Sequence, residues 1–189
     1  MQIDYSLLDK CMRDDERAQL MLYKECYSLM KGVCSRYIQE QSDVADVMNR
    51  GFLKIIKGLG QFDRHRSFEA WVRRILVNTA LDHLRQKKRR AAHEVAHPME
   101  SLNGIDVKHT DWNHADRSFD AEELLQMINS LPIKTAQVFN LFAIDGYSHQ
   151  EISELLDMKE GTSKWHVSKA REYLKELLTK KRTKKGQLT

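Results

Sequence analysis

Residues 148–171 constrain this chain more than any other stretch. They run from Ser148-His149-Gln150-Glu151 through Asp157-Met158-Lys159 to Lys169-Ala170-Arg171. Ser148 and Glu151 have the spacing of a capping box, in which a serine hydroxyl and a glutamate three residues on satisfy the free N–H groups that open a helix. Ile152, Leu155 and Leu156 then fall on one face. Asp157-Met158-Lys159 breaks that helix, and a second begins near Gly161 with Val167 turned inward. Thr162, Lys164, Trp165, His166, Lys169 and Arg171 are left for a partner. The pattern predicts a helix-turn-helix whose second helix is suited to the major groove of DNA, with its N-terminal residues nearest the base edges.

The rest of the chain must be compatible with that unit. Its 189 residues contain only two prolines, Pro98 and Pro132, and alternating β-branched runs are scarce. An all-α protein is therefore expected, built as two small helical domains joined by an extended linker. The net charge of +4 is modest, but its distribution is uneven. Arg85-Gln86-Lys87-Lys88-Arg89-Arg90 is one basic cluster, and Lys180, Lys181, Arg182, Lys184 and Lys185 form another. Residues 94–123 carry eight acids against Lys108 and Arg117. Two basic poles with an acidic connector point to polyanion binding at two places.

Helical periods mark the N-terminal half. Residues 5–12 predict a short helix with Leu7, Leu8, Cys11 and Met12. Asp14-Asp15-Glu16 suits the start of a longer one, along which Leu20, Tyr23, Tyr27, Met30, Cys34 and Tyr37 step as an apolar stripe. Ser42 and Asp43 are placed to cap a third helix, with Val44, Val47, Met48, Phe52, Ile55, Ile56 and Leu59 inside and Gly58-Leu59-Gly60 at its end. After a loop from Gln61 to Arg66, Ser67 caps a fourth, whose buried side is expected to hold Phe68, Trp71, Val72, Ile75, Thr79 and Leu84. Residues 91–119 show no sustained period, and Pro98 and Asn103-Gly104 support a linker there. A second helical unit begins near Asp120. Leu124, Leu125 and Ile128 mark one helix. Pro132 opens another, lined by Val138, Phe139, Phe142 and Ile144 and ended by Gly146.

Enzymatic readings find little support. His93-Glu94-Val95-Ala96-His97 matches the zinc-protease pattern H-E-x-x-H. Pro98 follows directly, however, and pushes His97 out of the α region, so the two imidazoles are not expected to align. His109 and His114 are too loosely spaced to help. No catalytic residues, no metal and no cofactor are expected. Cys11, Cys26 and Cys34 form no C-x-x-C pair, which fits a reducing compartment, and Cys26 and Cys34 fall on packing positions. No secretory leader and no apolar run near the length of a membrane span is legible, so a cytoplasmic protein without membrane insertion is expected.

Three segments, in order, resemble the extracytoplasmic-function sigma factors of bacterial RNA polymerase. The stretch from Asp43 to Lys54, with Asp46 and Phe52, resembles the family's core-polymerase-binding segment. Phe62-Asp63, followed by Phe68 to Arg85 with Trp71, Asn78 and Asp82, resembles its promoter-melting segment. Glu160 to Arg171 resembles its reader of the upstream element. The chain departs from the family at Asn49 and Arg50 in the first segment and at Trp165 and His166 in the third.

The resemblance implies a dissociable sigma factor that binds core RNA polymerase and opens promoter DNA, with an anti-sigma factor as a further partner. It implies a polymerase-binding and melting domain over 1–91, an acidic linker over 92–119, a helix-turn-helix domain over 120–180 and a basic tail over 181–189. Asp46, Asn49, Phe52 and Leu53 are the implied polymerase contacts. Phe62, Asp63, Trp71, Asn78, Asp82, Arg85 and Lys88 are implied at the minus-ten element, and Thr162, Lys164, Trp165, His166, Lys169 and Arg171 at the minus-thirty-five element. Of the aromatics, Phe62 in the loop is expected to meet an unpaired base, while Phe68 and Trp71 have core spacing. The competing expectation is a stand-alone helix-turn-helix regulator, with residues 1–90 as its sensor or dimerisation domain.

Overall fold

The computed structural model describes residues 3–94 and 125–185, and it divides into two compact units, Met1–Ile105 and Asp106–Thr189. Among the described residues every regular element is helical. The all-α expectation therefore holds.

In the first unit, α1 (Tyr5–Cys11) leads into α2 (Glu16–Tyr37), α3 (Gln41–Gly58) and, after a single 3-10 turn at Leu59–Gln61, α4 (Phe68–Glu94). Helices α2, α3 and α4 pack on one another, and α1 lies against α2. Asp15 caps α2 by accepting from the Arg17 and Ala18 N–H groups, as its acidic start suggests. Ser67 accepts from Ala70 N at 3.3 Å and starts α4. The third cap differs from expectation. Ser42 and Asp43 lie inside the first turn of α3, whose N-cap Glu40 makes no side-chain bond. Asp43 turns to α4 instead, where Lys87 Nζ donates to it at 2.8 Å and His83 Nε2 stands 3.3 Å away.

The stripe on α2 is shifted from the expected one. Leu22, Cys26, Met30, Val33, Cys34 and Tyr37 are buried, whereas Leu20 and Tyr27 are exposed and Tyr23 is half-buried. Leu20, Met21, Leu22 and Tyr23 are consecutive apolar residues, so a 3.6-residue period can be threaded through them in more than one phase. The stripe that meets α3 and α4 is the one that starts at Leu22. Cys26 and Cys34 are fully buried packing residues, and burial pushes both thiols up to about 12.

In the second unit, a helical stretch over 125–129 precedes α5 (Ile133–Phe139), a π turn (Asn140–Ile144), α6 (His149–Leu156) and α7 (Glu160–Lys185). Its core joins Ile128 and Leu131 to Ala170 and Leu174, with Val138, Leu141, Ile152 and Val167 also buried. Leu141 takes the inward place expected of Phe142, and Ile144 is exposed. The cause is the π turn. Asp145 N bonds to Asn140 O, five residues back, which moves the inward positions off the α period. Gly146 then takes a positive φ of 75°, and Tyr147 N returns to Leu141 O at 2.9 Å. The expected linker lies mostly outside the described residues, although α4 itself continues to Glu94.

Candidate nucleic-acid interface

The helix-turn-helix forms as its local chemistry dictates. Ser148 Oγ accepts from Glu151 N at 3.2 Å while Ser148 N donates to Glu151 Oε2 at 2.9 Å, closing the capping box. Helix α6 ends on Asp157 in the left-handed region (φ 49°), and Met158 N bonds back to Ser153 O. Thr162 N bonds to Lys159 O at 2.9 Å as α7 begins.

A polar brace that sequence patterning missed holds the two helices. Ser163 is fully buried, and its Oγ hydrogen-bonds His149 Nδ1 at 2.9 Å. The His149 ring stacks on Phe142 with centroids 4.4 Å apart. The available signal was Ser163 itself, a polar residue one helical turn before the inward Val167.

The residues expected to face DNA on α7 separate into two groups. Thr162, Lys164, Trp165 and Arg171 are exposed, with Trp165 at 55%. Lys164 stands 3.6 Å from Glu160. Lys169 donates to Glu172 at 2.7 Å, and that bond raises its pKa. His166 differs from these in its surroundings. It is half-buried, with Nδ1 held 3.0 Å from Thr135 Oγ1, and burial, helped by the charge of Lys134, lowers its pKa. The His166 ring is thus tied to α5 through Thr135.

In the first unit, Phe62, Phe68 and Trp71 gather at the start of α4. Phe62 lies 5.2 Å from Phe68 and 5.1 Å from Trp71 between centroids. Here the structure reverses an expectation, because Phe62 is only 9% exposed whereas Trp71 is half-buried. The ring of this cluster that reaches solvent most is Trp71. Phe62 points inward because the 3-10 turn at Leu59–Gln61 bends the chain back, with Phe62 N bonded to Leu59 O. Asp63 shapes the loop that follows, accepting from His65 N at 3.0 Å through its side chain and from Arg66 N at 2.9 Å through its carbonyl.

Further along α4, Asn78 is half-buried, and its Oδ1 is buried without a hydrogen-bond partner among the described residues. Asp82 meets Arg85 at 2.9 Å and Lys54 at 3.5 Å. Arg85, Lys87, Lys88, Arg89 and Arg90 are all exposed. One helix thus carries an aromatic cluster at its start and a basic run near its end.

The polar face of α3 is open. Arg50 Nε lies 3.0 Å from Asp46 Oδ1, and its terminal nitrogen meets the other carboxylate oxygen. Tyr23 on α2 donates to Asn49 Oδ1 at 3.4 Å and sets its ring edge-on to Phe52 at 5.0 Å. Leu53 is 59% exposed. Tyr27 stands 6.2 Å from Tyr23 between ring centroids, and both Tyr27 and Leu20 are exposed. Sequence periodicity had placed Leu20, Tyr23 and Tyr27 in the core.

Among the described residues no group of three or more His, Cys, Asp or Glu side chains could hold a metal ion. The H-E-x-x-H pattern lies outside the residues whose side chains are described. No helix among the described residues is long and apolar enough to cross a membrane.

Known proteins bear on both units. The family described as Sigma-70 region 2 matches residues 22–90, and that described as Sigma-70, region 4 matches residues 121–174. The ECF RNA polymerase sigma-E factor of Escherichia coli strain K12 is 28% identical over 180 residues, covering 89% of this chain and 91% of its own. The RNA polymerase sigma-H factor of Pseudomonas aeruginosa is 25% identical over 186 residues, covering 93% of each. Among solved structures, the sigma factor RpoE of Bartonella quintana, in complex with the anti-sigma factor NepR, shares the fold. It has a TM-score of 0.54 and 18% identity, with 84% of this chain and 95% of that one covered.

Proposed function

The chain belongs to the extracytoplasmic-function sigma factors of bacterial RNA polymerase, and on that premise we propose how its surfaces divide the work of initiation. It is a sigma factor that directs transcription initiation at promoters. A stand-alone helix-turn-helix regulator is not favoured, because residues 22–90 match a sigma region rather than a sensor.

In the proposed division, α3 docks on core polymerase through Asp46, Asn49, Phe52 and Leu53, with Tyr23 supporting the last turns. The observation that carries the reading is α4. Trp71, Asn78 and Asp82 are followed along a single helix by exposed Arg85 and Lys88. Opening DNA requires groups that accept unpaired bases as well as cations that hold phosphates. The half-exposed Trp71 ring suits the first task, and the basic run suits the second. Asp63 shapes the loop beside them, and Phe62 supports Trp71 from below. In the second unit, Thr162, Lys164 and Trp165 take base edges of the upstream element, Lys169 and Arg171 take phosphates, and His166 positions the helix. Residues 1–91 form the polymerase-binding and melting domain, and 120–180 the upstream reader.

The protein supplies no catalytic group of its own, acts in the cytoplasm with the polymerase, and is held by an anti-sigma factor when idle. The Bartonella relative, solved with such a partner, supports the last point. The test is reconstitution with core polymerase. Asp46→Arg should weaken capture of core enzyme while the far-ultraviolet spectrum and melting temperature stay near the parent. Undiminished capture by that variant removes α3 from the proposed interface.

A further inference from the structure

Helix α1 lies before residue 22, where the family match begins, and none of the surfaces above uses it. It is nonetheless tied to the loop between α3 and α4 by three contacts that converge on one residue. The Tyr5 hydroxyl donates to the Arg64 carbonyl at 3.1 Å. The Arg64 guanidinium lies over the Tyr5 ring, 5.4 Å from its centroid. The same guanidinium forms an ion pair with Asp9. Tyr5 and Asp9 are four apart, so they share one face of α1.

The far side of α1 is fixed. Leu8 and Cys11 are buried against α2, and Asp4 caps the helix by accepting from Ser6 N at 2.8 Å. A rigid helix therefore grips an exposed loop at Arg64, next to Asp63, whose side chain sets the turn. Both the backbone and the side chain of Arg64 are held, which fixes the loop path as well as the charge.

From this juxtaposition we infer that α1 is a strap for the melting loop, with Tyr5 and Asp9 as positioning residues for promoter opening. The inference rests on the reading of residues 62–66 as part of the melting surface. A loop already ordered in the free protein does not lose that freedom when it meets DNA, so opening is faster than with a free loop. The Asp9 carboxylate also keeps the Arg64 cation from wandering to nearby phosphates.

The test uses the full chain with core polymerase. Tyr5→Ala/Asp9→Ala is compared with the parent, with Asp63→Ala as a direct probe of the loop and with Asp9→Glu, which keeps the carboxylate. The readouts are permanganate reactivity of opened promoter DNA, capture of core enzyme and melting temperature. Exposed ion pairs and cation–π contacts are individually weak, so the double variant should slow opening by roughly three- to tenfold. Core capture should stay near the parent, and Asp9→Glu should open nearly as fast as the parent. Parental opening by the double variant, alongside slow opening by Asp63→Ala, overturns the strap and leaves the loop reading standing. Parental opening by both variants overturns the loop reading and the strap with it. A slow double variant that also loses core capture or folding in equal measure shows α1 to be only a part of the fold, and overturns the positioning role.

Discussion

Leu76 occupies the space that a side chain at position 51 would need. A Cβ built on Gly51 would stand 2.6 Å from Leu76 Cδ2, and both residues are buried where α3 crosses α4. Alanine is the better helix former by about 1 kcal/mol, yet overpacking a tight core costs about 1–3 kcal/mol. Gly51→Ala should therefore lower the stability of the first unit by about 1 kcal/mol net. Chemical denaturation measures this. Combining it with Leu76→Val should cost less than the two single changes added together, because both act on the same space.

Phe62→Ala should behave as a core truncation. Its ring is packed on Phe68 and Trp71, and removing a buried phenylalanine costs about 3–5 kcal/mol. The variant should melt well below the parent before any question of DNA arises. Trp71→Leu keeps more of the packing and tests base stacking instead. We expect it to spare the closed complex in a gel-shift assay and to reduce permanganate reactivity. Equal reactivity with the parent would remove Trp71 from the melting surface.

His166 makes the second unit sensitive to acid. Unfolded, its imidazole takes a proton near its ordinary value of 6.5, and the folded value is lower because of burial and Lys134. Between the two values the unfolded chain binds more protons, so stability rises with pH across that window. The contribution is complete above about pH 6.5 and is lost as the pH falls below it. Denaturation of the second unit at pH 7.5 and at pH 5.5 should show this loss, and His166→Gln should reduce it.

Ser163→Ala should destabilise the same unit by about 1–3 kcal/mol, because it leaves His149 Nδ1 without its partner. Amide exchange across α6 and the start of α7 is the direct readout.

On DNA, Arg171→Ala should weaken binding about equally across sequences and reduce the salt slope by about one. Trp165→Ala should cost roughly 1–3 kcal/mol on the preferred upstream element and much less elsewhere. Titrations on specific and scrambled duplexes at two salt concentrations separate the two outcomes.

What the sequence disclosed follows the range of the interactions involved. The capping box at Ser148 and Glu151, the Asp15 cap and the basic run after Asp82 are set within a few residues, and each was legible. The phase of α2 was not, because consecutive apolar residues from Leu20 to Tyr23 leave the choice of stripe to α3 and α4. The inward turn of His166 depends on Thr135, and that of Phe62 on Phe68 and Trp71. Neither contact leaves a mark on local period. The grip of α1 on Arg64 joins residues 55 or more apart, and only the folded chain brings them together.

The π turn over Asn140–Ile144 has a consequence for how this chain tolerates change in length. Deleting one residue there would turn the segment into ordinary α-helix and mend its hydrogen bonding. It would also rotate the chain beyond it by about 100° relative to α5. Every side chain of α7 would survive such a deletion, but α7 would approach from the wrong bearing. His166 would leave Thr135, and Leu141 would give up its place to the next residue. The extra residue thus acts as an angular spacer, and the bearing of α7 is set by backbone length at a point outside α7 itself.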